Sequence, residues 1–150
     1  MKNNELLNHE FFMRQALEEA KRAFDKNEIP IGAVIVANQQ IIGRGHNETE
    51  RLKDVSAHAE MIALTAAAQF LGTKYLWECS LYVTVEPCVM CAGALAWAQM
   101  GTIIYGASEP KTGFSKYSPN LLPTKTVIVS NVLRVECAEL MQLFFKHKRK

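Results

Sequence analysis

Amphipathic helical segments alternate along this chain with short apolar strands. Apolar residues recur at helical spacing over 9–26, 57–71, 87–100 and a C-terminal segment that contains Cys137, Phe144 and Phe145. Short apolar stretches at 33–37, 41–42, 80–85, 102–106 and 126–129 predict strands. This alternation predicts an α/β sandwich with a central mixed sheet. Because the 150 residues contain no internal repeat and no linker, we expect a single domain over 1–150.

Local signals set the boundaries of the two central helices. Ser56 is the predicted N-cap of the helix at 57–71, and Gly72 is its predicted stop. Pro87 is predicted to start the next helix. The stretch 107–123 carries three prolines and is too long for a simple hairpin, so we expect it to cross the sheet or to build a functional loop.

Three side chains at the starts of these two helices form a candidate metal site. Cys88 and Cys91 are three residues apart, so both sulfurs face the same side of the first helical turn. The electropositive helix N-terminus favours thiolates, which are the form of cysteine that binds zinc. His58, 30 residues before Cys88, completes a set of three protein ligands. Structural zinc sites usually have four protein ligands, whereas catalytic sites keep a position for water, so the count favours catalysis.

Glu60, two residues after His58, is the candidate proton carrier. Two thiolates cancel the formal charge of Zn²⁺, so such a metal should acidify water less strongly than one bound by imidazoles alone. A neighbouring base would compensate for this. Residues two apart face different sides of a helix, so Glu60 is not expected to be a fourth ligand.

Charge and hydropathy indicate the compartment and the partners to expect for this protein. The polar N-terminus lacks the apolar stretch of a signal peptide, and no run of about 18 apolar residues could span a membrane. We therefore expect a cytoplasmic protein in a reducing compartment, where a C-x-x-C pair indicates metal or redox chemistry. The formal net charge of +2 neither requires nor excludes nucleic acid. The basic tail at 146–150 is interpreted first as a solvated, frayed end.

The combined pattern H-x-E … P-C-x-x-C is the signature of the zinc deaminases. Each half is weak evidence alone, because a bare C-x-x-C also occurs in thioredoxin-like proteins and H-A-E occurs by chance. From residue 9 to residue 148 the chain also resembles the bacterial tRNA adenosine deaminases, of the cytidine/deoxycytidylate deaminase superfamily. The matching segments are 29–34, 45–47, 57–60, 81–94, 106–107, 111–113, 136–138 and 144–145.

This resemblance implies both a fold and a reaction. The fold is a three-layer α/β/α sandwich with a five-stranded mixed sheet, the cytidine deaminase-like fold, in a homodimer. The reaction is the hydrolytic conversion of adenosine to inosine at the wobble position of the tRNA anticodon, so the expected partner is an anticodon stem-loop. The resemblance assigns one Zn²⁺ per subunit to His58, Cys88 and Cys91, and proton transfer to Glu60. Asn47 matches the family's base-contacting asparagine.

One segment departs from the family pattern. Where the family usually has Asp before Lys-Thr-Gly, this chain has Glu109 followed by Pro110. After Gly113 the family's small residues are replaced by Phe-Ser-Lys-Tyr at 114–117. Because this loop lies close to the substrate in the family, Glu109 is a second candidate substrate-binding residue beside Asn47.

Several residues also have simpler structural interpretations. Asn47 could be a turn residue after Gly45. Phe144 and Phe145 fall on the apolar stripe of the last helix, which favours core packing, although one of them could stack on a base. The remaining candidates are expected to be structural: Trp77 and Trp97 as core or dimer contacts, Cys79 and Cys137 as buried small hydrophobes, and His9, His46 and His147 as surface or supporting residues.

Three classes of function are compatible with the residues. The first is an RNA-editing enzyme that acts on the anticodon loop. The second is a deaminase of a free base or nucleoside, of the guanine or cytosine type, with the same zinc motif. The third is a non-catalytic zinc module, which Glu60 disfavours because a structural site has no use for it. The long match around Cys88 and the basic C-terminus favour the first class.

Overall fold

The computed structural model describes residues 2–148, which form one five-stranded mixed sheet between helices. In space the strands run β2-β1-β3-β4-β5. The strand β1 is antiparallel to both β2 and β3, whereas β3, β4 and β5 are mutually parallel. The strands are β1 (Gly32–Ala37), β2 (Gln40–His46), β3 (Ser80–Val85), β4 (Thr102–Ala107) and β5 (Val127–Val129). The helices are α1 (Asn3–Asp25), α2 (Thr49–Leu52), α3 (Ala59–Leu71), α4 (Val89–Trp97), α5 (Phe114–Tyr117) and α6 (Arg134–Lys148).

Alternate residues of the central strands point to opposite faces of the sheet. On β1, Ala33 and Ile35 belong to one buried cluster, and Val34 and Val36 belong to the other. Tyr82 of β3 lies with the second cluster, opposite its neighbours on the strand. A sheet that is apolar on both faces requires cover on both faces, so the strand pattern dictates a layer of helices on each side.

The helices form these two layers. The first face is covered by apolar residues of α3 and α4, which are Ala59, Ala63, Ala67, Ala92 and Leu95. The second face is covered by α1 and α6, through Phe12, Met13, Ala16, Leu17 and Cys137. The arrangement confirms the three-layer α/β/α sandwich with a five-stranded mixed sheet.

Several predicted boundaries were wrong. The first helix begins at Asn3 rather than at residue 9, and β2 continues to His46 because its pairing with β1 persists as far as Gly32. Trp97 is 85% exposed, which excludes the core and leaves the dimer contact of the two predicted alternatives. It lies two positions after Leu95, which is on the buried side of α4, and therefore faces outward.

Other predictions about the loops and cysteines had mixed outcomes. Trp77 is 62% exposed in the connection before β3, so it is not a core residue either. Cys79 and Cys137 are buried, as predicted. The stretch 107–123 contains the short helix α5, and its Phe114 is buried in the first core cluster. Within residues 2–148, no helix combines the length and the apolar character needed to cross a membrane.

Two glycines on β2 allow α3 to pack unusually close to the sheet. A Cβ added at Gly43 would lie 2.4 Å from the carbonyl oxygen of Ala63, and one at Gly45 would lie 2.5 Å from that of Ala59. Side chains at these positions would therefore push the helix away. The first turn of α3, which carries His58 and Glu60 at its start, is held in place by this contact.

The substitution Gly45→Ala tests this close approach. Because the new methyl group would overlap the Ala59 carbonyl, we expect the free energy of unfolding to fall by about 2 kcal/mol, within the usual range for overpacking. The matched control is Gly93→Ala in α4, where an added Cβ meets nothing within 4 Å. There we expect unchanged stability or a gain of about 0.5–1 kcal/mol, since alanine is the better helix former. Urea unfolding curves that coincide for the two variants would contradict the packing argument.

Candidate active site

Two helix N-termini meet beside the carboxyl ends of β3 and β4. His58 is the N-cap residue of α3, and Cys88 is the N-cap residue of α4. Ser56 is not the N-cap as predicted, because α3 begins only at Ala59, and the Ser56 hydroxyl group donates to Asp54 Oδ1 at 2.7 Å. Pro87 precedes the cap and is not the first helical residue. The extended backbone at both caps aims the two side chains away from the helices and toward each other.

The structure brings His58, Cys88 and Cys91 into one group. The Nδ1 atom of His58 lies 3.6 Å from the Cys88 sulfur and 3.4 Å from the Cys91 sulfur. All three donor atoms lie within 4.8 Å of one another. Within residues 2–148 this is the group of His, Cys, Asp and Glu side chains that could hold a metal ion, and His9 and His46 have other partners.

The donor set fits a zinc ion. With Zn–S distances of about 2.3 Å and Zn–N distances of about 2.0–2.1 Å, a tetrahedral site places nitrogen and sulfur about 3.5 Å apart. The two observed separations of 3.6 and 3.4 Å agree with this value. Two sulfurs and one imidazole nitrogen are also ligands that zinc favours, and three protein ligands leave a fourth position for water.

The pKa values of the two cysteine thiols shift in opposite directions. The Cys91 thiol donates a hydrogen bond to Cys88, which is the main cause that lowers the pKa of Cys88 to about 4. The same hydrogen bond, together with burial, raises the pKa of Cys91 above its ordinary value. The hydrogen bond to Cys88 raises the pKa of the His58 imidazole. A thiolate is therefore already favoured at Cys88, where the α4 dipole adds to the effect.

Glu60 lies in the first turn of α3, next to this group. Its side chain is 4% exposed, and it lines the same cleft as His58 and Cys88. Burial is the largest effect on its carboxyl group and raises its pKa to about 7. A carboxyl group with a pKa near neutrality can both accept and release a proton at pH 7. Glu60 is not a member of the three-residue donor group, as the sequence predicted.

Asn47 follows the last residue of β2 and points into the cleft. Its backbone N–H donates to the carbonyl oxygen of Ile31 at 3.1 Å, which fixes the backbone. The residue is buried, yet its side-chain Oδ1 has no hydrogen-bond partner within residues 2–148. Leaving a buried polar atom unpaired costs about 1–3 kcal/mol, so this atom is available to a ligand. A simple turn residue would instead bond to its own backbone.

The cleft has a volume of about 300 Å³ and is bounded by segments from six parts of the chain. The lining residues at the metal site, which are His58, Glu60 and Cys88, are called the floor of the cleft, and the other lining residues, among them Asn47, are called its walls. The residues that complete its walls are Ile29, Ile31, Thr49, Ala59, Val85, Glu86, Glu109, Thr112, Met141 and Phe145. Phe145 is 40% exposed at this cleft, so core packing was wrong for it, whereas its neighbour Phe144 is buried as expected.

The loop at 108–117 forms another wall. Glu109 faces the cleft, and its Oε1 accepts a hydrogen bond from the backbone N–H of Lys111 at 2.9 Å. The departures from the family pattern have structural roles here. The Tyr117 hydroxyl group donates to the Lys111 carbonyl oxygen at 2.7 Å and closes the loop on itself. Phe114 is 3% exposed and anchors the loop in the core.

Two buried carboxylates near the site were not found from the sequence. Glu28 is 1% exposed and accepts hydrogen bonds from the backbone N–H groups of Glu50 and Arg51, at 3.0 and 2.8 Å. Glu86 is 5% exposed and accepts hydrogen bonds from backbone N–H groups of the loop at 108–117. Each partner is more than 20 residues away in the sequence, so no local signal marks these residues. The nearest indication in the sequence is that Glu86 directly precedes Pro87 and Cys88.

Comparison with known proteins finds relatives over nearly the whole chain. Residues 7–149 match the family model of the MafB19-like deaminases. The tRNA-specific adenosine deaminase of Bacillus subtilis strain 168 is 43% identical over 146 residues, which cover 94% of this chain and 91% of that protein.

Solved structures resemble the whole sandwich. One, from work on A-to-I editing by tRNA:A34 deaminases at the wobble position of transfer RNA, has a TM-score of 0.81 and 38% identity, over 87% of this chain and 98% of that one. The guanine deaminase of Bacillus subtilis has a TM-score of 0.64 and 39% identity, over 67% of this chain and 64% of that one. Family match, identity and coverage agree, and this chain belongs to the deaminases, within them to the family of the tRNA-specific adenosine deaminases.

Proposed function

We propose that this protein hydrolyses adenosine to inosine at the wobble position of a tRNA anticodon. One observation carries the proposal. A three-ligand donor group, a buried carboxyl group and an unpaired buried amide oxygen converge on one cleft, in a chain that is 43% identical to a tRNA-specific adenosine deaminase. Water and adenosine enter the reaction, and inosine and ammonia leave it.

The proposed roles follow from position in the cleft. His58, Cys88 and Cys91 would hold a zinc ion, which would supply the Lewis acid needed to activate water toward C6 of adenine. Glu60, beside this group, takes the proton from the attacking water and delivers a proton to the departing amine. Its burial excludes competing water from the carboxyl group, and its first-turn position in α3 fixes its reach.

Asn47 and Glu109 are the proposed substrate contacts. The unpaired amide oxygen of Asn47 is a hydrogen-bond acceptor that a purine N–H group would satisfy. Glu109 lies across the cleft on the loop at 108–117. An adenine that enters the cleft must leave its stack, which costs a few kcal/mol and is least costly in a single-stranded loop.

The end of α6 is the proposed contact with the RNA backbone. Met141 and Phe145 line the cleft, and the helix continues from there into Lys146, His147 and Lys148, which are exposed. A base could stack on Phe145 while its phosphates meet the lysines. Arg149 and Lys150, the rest of the predicted basic tail, lie outside the described residues.

We also infer a cytoplasmic homodimer. A tRNA substrate is available in the cytoplasm. The outward sides of α3 and α4 expose several large apolar side chains, and a second copy of the chain would cover them. They are Phe70, Val89, Met90 and Trp97.

Metal content tests the proposed ligands. We expect about one zinc per chain in the purified protein, and loss of the metal in Cys88→Ala and Cys91→Ala, because two ligands cannot replace three. The matched control is Cys79→Ala, a buried cysteine outside the donor group, which should keep its zinc. Elemental analysis that finds full zinc in both ligand variants would refute the assignment.

Glu60→Gln tests the proton carrier. Glutamine keeps the size and shape of the side chain but cannot carry a proton, so we expect the deamination rate to fall about 10⁴-fold, at the upper end for general acid–base groups. Zinc content should be unchanged. The exposed Glu50 provides the control Glu50→Gln, which should keep its activity. A Glu60→Gln enzyme with most of its rate would exclude the mechanism.

Substrate choice tests the RNA assignment. Anticodon stem-loops should release ammonia readily, whereas guanine, cytosine and free nucleosides should not. Lys146→Ala should weaken stem-loop binding and reduce the slope of log K against log salt by about 0.7–0.9, as for one lost phosphate contact. The control is Lys125→Ala, which lies before β5 at the opposite end of the sheet from the cleft. Efficient turnover of guanine with no turnover of the stem-loop would instead support the small-molecule deaminase.

A further inference from the structure

Glu86 lies between the loop at 108–117 and the segment 87–91, which carries Cys88 and Cys91 and is called the metal-ligand segment below. It follows the last residue of β3 and precedes Cys88 by two positions. Its Oε1 accepts a hydrogen bond from the backbone N–H of Glu109 at 3.1 Å. Its Oε2 accepts two from Ser115, one from the backbone N–H at 3.0 Å and one from the hydroxyl group at 2.6 Å. All three donors belong to the loop.

Backbone contacts reinforce this connection. The N–H of Glu86 donates to the carbonyl oxygen of Ala107 at 2.8 Å, and the N–H of Phe114 donates to that of Pro87 at 2.9 Å. Cys88 and Gly113 form an isolated antiparallel bridge. A Cβ added at Gly113 would lie 2.5 Å from the Glu86 carboxyl carbon, so the loop backbone packs directly against this side chain.

The loop brings substrate-facing groups to the cleft. Glu109 and Thr112 both line the cleft that contains His58 and Glu60. Because the Glu86 carboxylate is engaged by loop donors, it can affect a substrate through the position of the loop. Hydrogen bonds to a carboxylate are about twice as strong as neutral ones, and a buried carboxylate that lost them would bear a large desolvation cost. Glu86 and the loop therefore stabilise each other.

We propose that Glu86 is a positioning residue, which fixes the loop at 108–117 against the metal-ligand segment. In this way it sets the affinity of the site for its RNA substrate. The proposal rests on the proposed function for the identity of the substrate. It assigns a purpose to Ser115, one of the residues that depart from the family pattern. The Ser115 hydroxyl group provides the shortest of the three hydrogen bonds that hold the loop.

Two variants of the zinc-loaded full chain test the proposal. Glu86→Gln keeps the shape but turns one acceptor oxygen into an N–H donor that faces other donors. We expect KM for an anticodon stem-loop to rise roughly tenfold, the typical effect of losing a charge-assisted hydrogen bond, while kcat changes by less than about threefold. Ser115→Ala removes a single hydrogen bond at an exposed position and should raise KM about threefold. Ser118→Ala, in the turn after α5, is the control and should leave KM unchanged.

Amide hydrogen exchange provides a second measurement that does not depend on activity. In Glu86→Gln the amides of Glu109 and Ser115 should exchange faster, while those of α3 and the zinc content stay as in the wild type. Unchanged KM in both variants, or unchanged protection of these amides, overturns the proposal. If Glu86→Gln fails to fold, Ser115→Ala decides by the same two measurements. A wild-type enzyme that ignores the stem-loop refutes the proposed function instead, and protected amides in Glu86→Gln would still refute the role of Glu86.

Discussion

The separation of 3.4–3.6 Å between the His58 nitrogen and two cysteine sulfurs depends on two helices that approach the sheet independently. α3 is set by its close contact with the glycines of β2, and α4 begins just after β3. A shift of either helix by 1 Å would take the donors outside the range for one zinc ion. Because Glu60 belongs to the first turn of α3, the contact that sets the metal site also sets the proton carrier.

Three of the buried carboxylates, Glu28, Glu60 and Glu86, differ in what dominates their surroundings. Glu28 and Glu86 each accept hydrogen bonds from backbone N–H groups, which compensate the cost of burial and hold the segments that supply those donors. Glu60 lies in a comparably buried place, and burial dominates there, raising its pKa to about 7. Glu86 lines the cleft itself, and Glu28 holds the backbone just after Thr49, another lining residue. Glu60 is poised to exchange protons.

Local sequence patterns predicted the parts of this structure that local physics controls. The helices, the strands and the C-x-x-C geometry follow from periodicity, and the grouping of His58 with Cys88 and Cys91 agrees with the signature. The prediction of an N-cap at Ser56 was wrong because α3 begins at Ala59, which makes His58 the cap. The role of Glu86 was invisible because its donors at Glu109 and Ser115 are 23 and 29 residues away and meet it only after the sheet has formed. The sequence left Trp97 open between the core and a dimer contact, because hydrophobicity alone does not say which side of a helix is covered.

The floor and the walls of the cleft are built from different parts of the fold. The floor comes from the starts of α3 and α4, so zinc chemistry needs only these two helices and the sheet beneath them. The walls include the loop at 108–117 and α6, which packs Phe144 in the interior and turns Phe145 toward the cleft. A residue on α6 can therefore change on its exposed side without disturbing the metal site. This separation explains how deaminases that resemble this chain, named for guanine in one case and for tRNA in another, share one sandwich. We infer that substrate choice depends on the walls, which carry the proposed substrate contacts Asn47 and Glu109, rather than on the floor.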